Sequence, residues 1–136
     1  MNRYLDWRAR LSASIEARRR SLHVYGGNDC GLFVADCIAA MTGIDIAADF
    51  RGRYDSLASA VTMLQAAGYA DLCEVLAARL EEIHPSRARA GDVMAFDSSP
   101  TGWALGIVNG ERVTVLRPDG LGTVLRTQAQ RAFRVG

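Results

Sequence analysis

The stretch that most limits what this chain can become is Tyr25-Gly26-Gly27-Asn28-Asp29-Cys30-Gly31-Leu32-Phe33-Val34-Ala35-Asp36-Cys37. Two adjacent glycines allow a sharp turn. Asn28 and Asp29 are both good N-cap residues, because a short polar side chain can accept from the free backbone N–H groups of a first helical turn. A helix is therefore expected to open at Cys30. Phe33, Val34, Cys37, Ile38 and Met41 continue from it at helical spacing, and Gly43 is placed to end the run as a C′ glycine. The sequence thus sets one thiol at the N-terminus of a mostly buried helix, where free N–H groups and the positive end of the helix dipole favour thiolate. Cys30 is the nucleophile candidate, with Asp29 beside it. Unpaired cysteines otherwise behave as small buried apolar residues, which is the reading for Cys37 and Cys73.

The chain has 136 residues, enough for one domain with a real core. We expect residues 1–136 to form that single domain, helical over about 1–85 and a β meander over about 91–136. Hydrophobic residues make up 49% and charged residues 23%, an ordinary globular balance. A net charge of +1 gives no general attraction to nucleic acid. The three cysteines lack paired C-x-x-C spacing, so no metal site is expected. Their odd number argues against a disulfide framework. No apolar run is long enough for a membrane span. Met1 to Arg8 is too charged for the apolar core of a signal peptide.

Arg3 to Arg20 reads as an amphipathic helix with Tyr4, Trp7, Leu11 and Ile15 on one stripe. Its Arg18-Arg19-Arg20 end reads as a solvated, dipole-favoured terminus. Ile44 to Tyr54 reads as a compact loop in which Asp49, Arg51 and Arg53 either line a cleft or form surface ion pairs. Asp55 or Ser56 caps a helix to about Ala67. A further helical pattern runs from Asp71 to Ile83, ended by Pro85, with His84 at its end. The character then changes. Val93 to Phe96, Ala104 to Val108 and Arg112 to Leu116 read as strands, followed by shorter ones at Val124-Leu125 and Ala132 to Val135. A loop with Pro100 and Gly102 separates the first two, and Asn109-Gly110 is a hairpin turn signal. Helices followed by an antiparallel meander define an α+β domain, with the Cys30 helix packed on the sheet.

In that order the chain resembles the NlpC-type cell-wall peptidases of the papain-like superfamily. The resemblance rests on Tyr25-Gly26-Gly27, on Asp29-Cys30 at a helix start, on Gly91-Asp92 opening a strand, and on Ala104-Leu105-Gly106-Ile107-Val108 before a glycine turn. The chain is also similar to small phage-type proteins encoded among tail genes, through its Gly-x-x-Asp-Cys helix, Phe50-Arg51-Gly52-Arg53-Tyr54 and the Gly-Asp-Val strand opening. The resemblance implies a papain-like fold, with Cys30 as nucleophile and Tyr25 as the family's aromatic. It also implies a histidine at the start of the second strand, but that position is Ala104. No third polar member stands out on the return strand, where Val113, Thr114 and Val115 lie. His23 is the other histidine near the nucleophile in sequence.

This departure bears on the chemistry. An imidazole stabilises the thiolate and later protonates the leaving amine, and a helix terminus can help only with the first task. Three readings follow. One is a phage tail-tip or baseplate protein with this fold and weak or lost catalysis, working beside other tail proteins in the virion tail or in the host cytoplasm during assembly. Another is an active peptidoglycan amidase or endopeptidase using Cys30. The last is a non-catalytic module that binds a wall stem peptide. None of them calls for a cofactor.

Overall fold

The computed structural model describes residues 1–99 and 102–136, so the expected loop is described at Gly102 while Pro100 lies outside the described residues. Four helices come first: α1 (Trp7–Ala17), α2 (Cys30–Thr42), α3 (Leu57–Ala66) and α4 (Leu72–Arg79). Six strands follow: β1 (Glu81–Ile83), β2 (Val93–Asp97), β3 (Trp103–Asn109), β4 (Arg112–Arg117), β5 (Gly120–Leu125) and β6 (Arg131–Arg134). They form one sheet in the order β1-β6-β2-β3-β4-β5, with antiparallel pairing throughout. The fold is α+β, helices packed on an antiparallel sheet.

Strand alternation puts the two faces of this sheet in different surroundings. Val93 and Ala95 of β2, Leu105 and Ile107 of β3 and Phe133 of β6 share the main core with α2. There Phe33, Val34, Cys37, Ile38 and Met41 are essentially inaccessible, and Leu11 of α1 joins them. Met94, Val108, Val113, Val115 and Ala132 form a second cluster with Ile83 and Ala88. A third cluster, Phe50, Leu64 and Val75, ties α3 and α4 to the 44–54 segment.

Several boundaries differ from the sequence reading. The first helix starts at Trp7 and ends at Ala17. Tyr4 precedes it and bonds through its N–H to the Met41 carbonyl at 2.7 Å. The pattern from Asp71 to Ile83 is not one helix. Leu80 turns extended (φ −127°) and Glu81–Ile83 pairs with β6, Glu81 opposite Arg134. His84 therefore caps the short 3-10 turn Pro85–Arg87, its Nδ1 accepting from the Ser86 N–H at 3.1 Å. In the β3–β4 hairpin Asn109 pairs with Arg112, so the turn residues are Gly110 and Glu111, one place later than expected. Gly110 takes φ +69° there, which fits a glycine-first two-residue turn. The strand expected at Val124-Leu125 begins earlier, at Gly120.

The Gly91-Asp92 strand opening has a structural role. Asp92 is 2% exposed and accepts from the Arg89 N–H, the Val135 N–H and Arg3 Nη2 at 2.9, 3.0 and 2.9 Å. Arg3 also donates to the carbonyls of Val135 and Ala90. One buried carboxylate thus joins the start of the chain, the β2 opening and the end of the chain. Among the described residues no helix is long and apolar enough to cross a membrane.

Candidate functional site

Asp29 does what its position in sequence suggests. Its backbone is extended, and its Oδ1 accepts from the Leu32 N–H at 2.9 Å, so it is the N-cap of α2 and Cys30 is the first helical residue. Its Oδ2 accepts from the Gly26 N–H at 3.0 Å, closing the glycine turn onto the helix start. The same oxygen accepts the Tyr54 hydroxyl at 2.5 Å. Gly26 is required here: its φ is +84°, and a Cβ would overlap the Tyr54 carbonyl. The Gly26 carbonyl in turn accepts from the Gly52 N–H. Residues 50–54 are therefore folded directly against the turn that presents Cys30.

An ion-pair network holds that segment in place. Arg51 pairs with Asp36 of α2 and with Asp45, and Arg18 pairs with the other oxygen of Asp36. Arg18 also donates to Asn28 Oδ1 at 2.6 Å. Of the two readings offered for this region, Arg51 takes the ion-pair one, while Asp49 and Arg53 are exposed. Arg18 belongs to the same network, and Arg19 pairs with Glu16 on the surface.

Cys30 is half-buried in the wall of a cleft of about 650 Å³. Tyr25, Asp29, His23 and Ala104 all line this cleft beside Cys30, whereas Asp49, Arg51 and Arg53 do not. Their arrangement is not that of a proton-transfer pair. His23 lies against Tyr25, ring edge to ring face at 4.6 Å between centroids. Among the described residues no histidine is hydrogen-bonded to the Cys30 sulfur. The groups that favour its thiolate are backbone N–H groups, from Leu105 of β3, Gly31 and Cys30 itself. Burial acts more strongly the other way and Asp29 adds to it, so the thiol is pushed above its ordinary value. The helix terminus contributes as expected, but desolvation outweighs it.

The other two cysteines are fully buried. Burial pushes both thiols up to about 12. Burial, and then the carboxylate of Asp29, also raise the Tyr54 phenol far above its ordinary value. Sequence reasoning missed Tyr54 as a site residue. Its partner Asp29 is 25 residues away, and the available signal was the glycine at 26, which permits the close approach. Also missed was the apolar wall given to the cleft by α3 and α4, including Leu57, Val61, Leu64 and Val75, and by Trp103. Among the described residues no group of three or more His, Cys, Asp or Glu is placed to hold a metal ion.

Over residues 2–135 the chain matches the model of the domain of unknown function DUF6950, and it belongs to that family. No curated protein sequence matches it. Among solved structures it is similar to the NlpC/p60 domain of the peptidoglycan hydrolase SagA, with a TM-score of 0.60 and 20% identity. The match covers 93% of this chain and 97% of that one. The two share the NlpC-type fold.

Proposed function

We propose that this member of the DUF6950 family is a tail-tip or baseplate-associated protein of a phage or phage-derived particle, acting as a single domain that keeps a hydrolase-type fold while its catalysis is weak or lost. The observation that supports weak catalysis is the setting of the Cys30 sulfur. Backbone amides face it, burial holds it protonated, and the strand position that would carry an imidazole is Ala104. Amides can stabilise an oxyanion. They cannot return a proton to a leaving amine, a service worth about a hundred- to ten-thousand-fold. The tail assignment is supported by the resemblance carried by the Asp29-Cys30 helix, residues 50–54 and the Gly91-Asp92-Val93 opening. On this reading the protein works in the virion tail, or in the host cytoplasm while tails assemble.

The test is digestion of purified peptidoglycan fragments by the wild type and by Cys30→Ser. Both are expected to stay at background, while Ala104→His gains at least tenfold, part of the roughly hundred- to ten-thousand-fold that a well-positioned acid–base group supplies. Mass spectrometry of purified particles should detect the chain, and its absence from both particles and assembling tails would defeat the tail assignment. A second reading is favoured by one observation: His23 lines the same cleft as Cys30. In that reading the chain is an active amidase or endopeptidase on wall stem peptides. It wins if wild-type cleavage is clear and both Cys30→Ser and His23→Ala remove it.

A further inference from the structure

The composition of the cleft wall points to its ligand. The side chains that α3 and α4 bring to it include Leu57, Val61, Leu64 and Val75, and Trp103 and Leu116 come from the sheet. The chain carries sixteen cationic side chains, all arginine. Among the described residues that line the cleft there is no arginine. Behind the wall Arg51 pairs with Asp36 and Asp45, and Arg79 donates to the Tyr69 hydroxyl. No described wall residue therefore brings a guanidinium to pair with the free carboxylates of a stem peptide.

Part of the wall's side-chain hydrogen-bonding capacity is engaged as well. Asp29 accepts from two backbone N–H groups and from Tyr54, and Asp71 caps α4 by accepting from the Glu74 N–H. An extended peptide carries a donor and an acceptor at nearly every residue. Burying them unpaired costs free energy comparable to lost hydrogen bonds. A hydrocarbon chain has no such groups, and a volume of about 650 Å³ lies within the range of ligand-binding clefts. The polar groups His23, Tyr25 and Cys30 all come from one segment of the chain, on which a polar head can rest.

We propose that this cleft binds the alkyl chain of an acyl-bearing molecule, with the polar head towards His23 and Tyr25. The proposal rests on the reading that catalysis at this cleft is weak or lost, and it adds a binding role and names what is bound.

Alkylphosphocholines with eight, ten and twelve carbons, each held below its micelle threshold, are suitable probes for the full chain. Labelling of Cys30 by N-ethylmaleimide, followed by intact mass, gives one readout, since Cys37 and Cys73 are inaccessible. Trp103 fluorescence in a Trp7→Phe background gives another. Protection and fluorescence change should share a midpoint that falls about three- to fourfold per added methylene, the change expected for burying one CH2. Val61→Arg, at an exposed position of α3, should weaken binding at least tenfold with unchanged thermal unfolding. No response up to twelve carbons, an equal response to phosphocholine alone, or protection by a soluble stem peptide in place of the alkyl chain would each overturn the proposal. Wall-fragment cleavage or absence from particles would count against the earlier reading and leave these titrations unaffected.

Discussion

Asp29 and Asp92 are both buried, at 5% and 2% exposure, and each accepts three hydrogen bonds. The difference lies in who donates. All three donors to Asp29 are neutral, and two of them lie within three residues of it. Asp92 takes one bond from the guanidinium of Arg3, 89 residues away, and one from the N–H of Val135, 43 residues away. The same side chain thus serves two purposes. At position 29 it shapes a small neighbourhood around a thiol, and at position 92 it fastens distant parts of the fold.

The sharpest way to break this contrast is to delete each carboxylate and compare stability with reactivity. Asp92→Ala leaves a guanidinium and two backbone donors without their partner. Removing one member of a buried ion pair costs about 3–5 kcal/mol, so urea unfolding should show a loss of that size. Asp29→Ala should cost less, about 2 kcal/mol, since it removes a cap and local bonds but strands no charge. An equal loss at both sites would erase the distinction. Tyr54→Phe removes one hydrogen bond to a partner that keeps its other two, and should cost about 1.5 kcal/mol. Its larger effect should be a change in the labelling rate of Cys30, because it loosens residues 50–54 against the glycine turn.

Charge alone gives the smallest effects. Asp29 raises the values of both Cys30 and Tyr54. Asp29→Asn should therefore lower both and speed Cys30 alkylation a few-fold at fixed pH, whereas Asp92→Asn should leave that rate unchanged. The raised thiols also fix the sign of the alkaline limb. A group whose folded value exceeds its unfolded value stabilises the fold fully below the unfolded value and loses that contribution as pH rises. Stability should thus hold up to about pH 9, the ordinary thiol value, and fall towards about 12, where Cys37 and Cys73 titrate in the folded chain. Monitoring unfolding from pH 8 to 11 checks this, and a rise over that interval would contradict it.

What could be read from the sequence divides along the same line. Asp29 was legible because a cap acts over three residues, and Gly26, Cys30 and the apolar face of α2 lie within one short window. Asp92 was visible as a strand opening but not as a fastener, because its partners sit at the two ends of the chain. Residues 81–83 were read as helix since Leu76, Leu80 and Ile83 keep a helical spacing. Pairing with β6, some fifty residues later, overrode it. The first half of β5 was missed for the opposite reason: Gly120 and Gly122 break any apolar alternation, and the pairing with β4 supplies the order. The apolar wall of the cleft could not be read at all, because Leu57, Val61 and Leu64 look like ordinary core positions until their neighbours are known.

The Arg3 contact with the Val135 carbonyl has a practical corollary for engineering. Entry and exit of the polypeptide lie side by side, the geometry that suits transplantation into a surface loop of a host protein. Such a graft would need both seams at a single spot, with Arg3 left free to keep its grip.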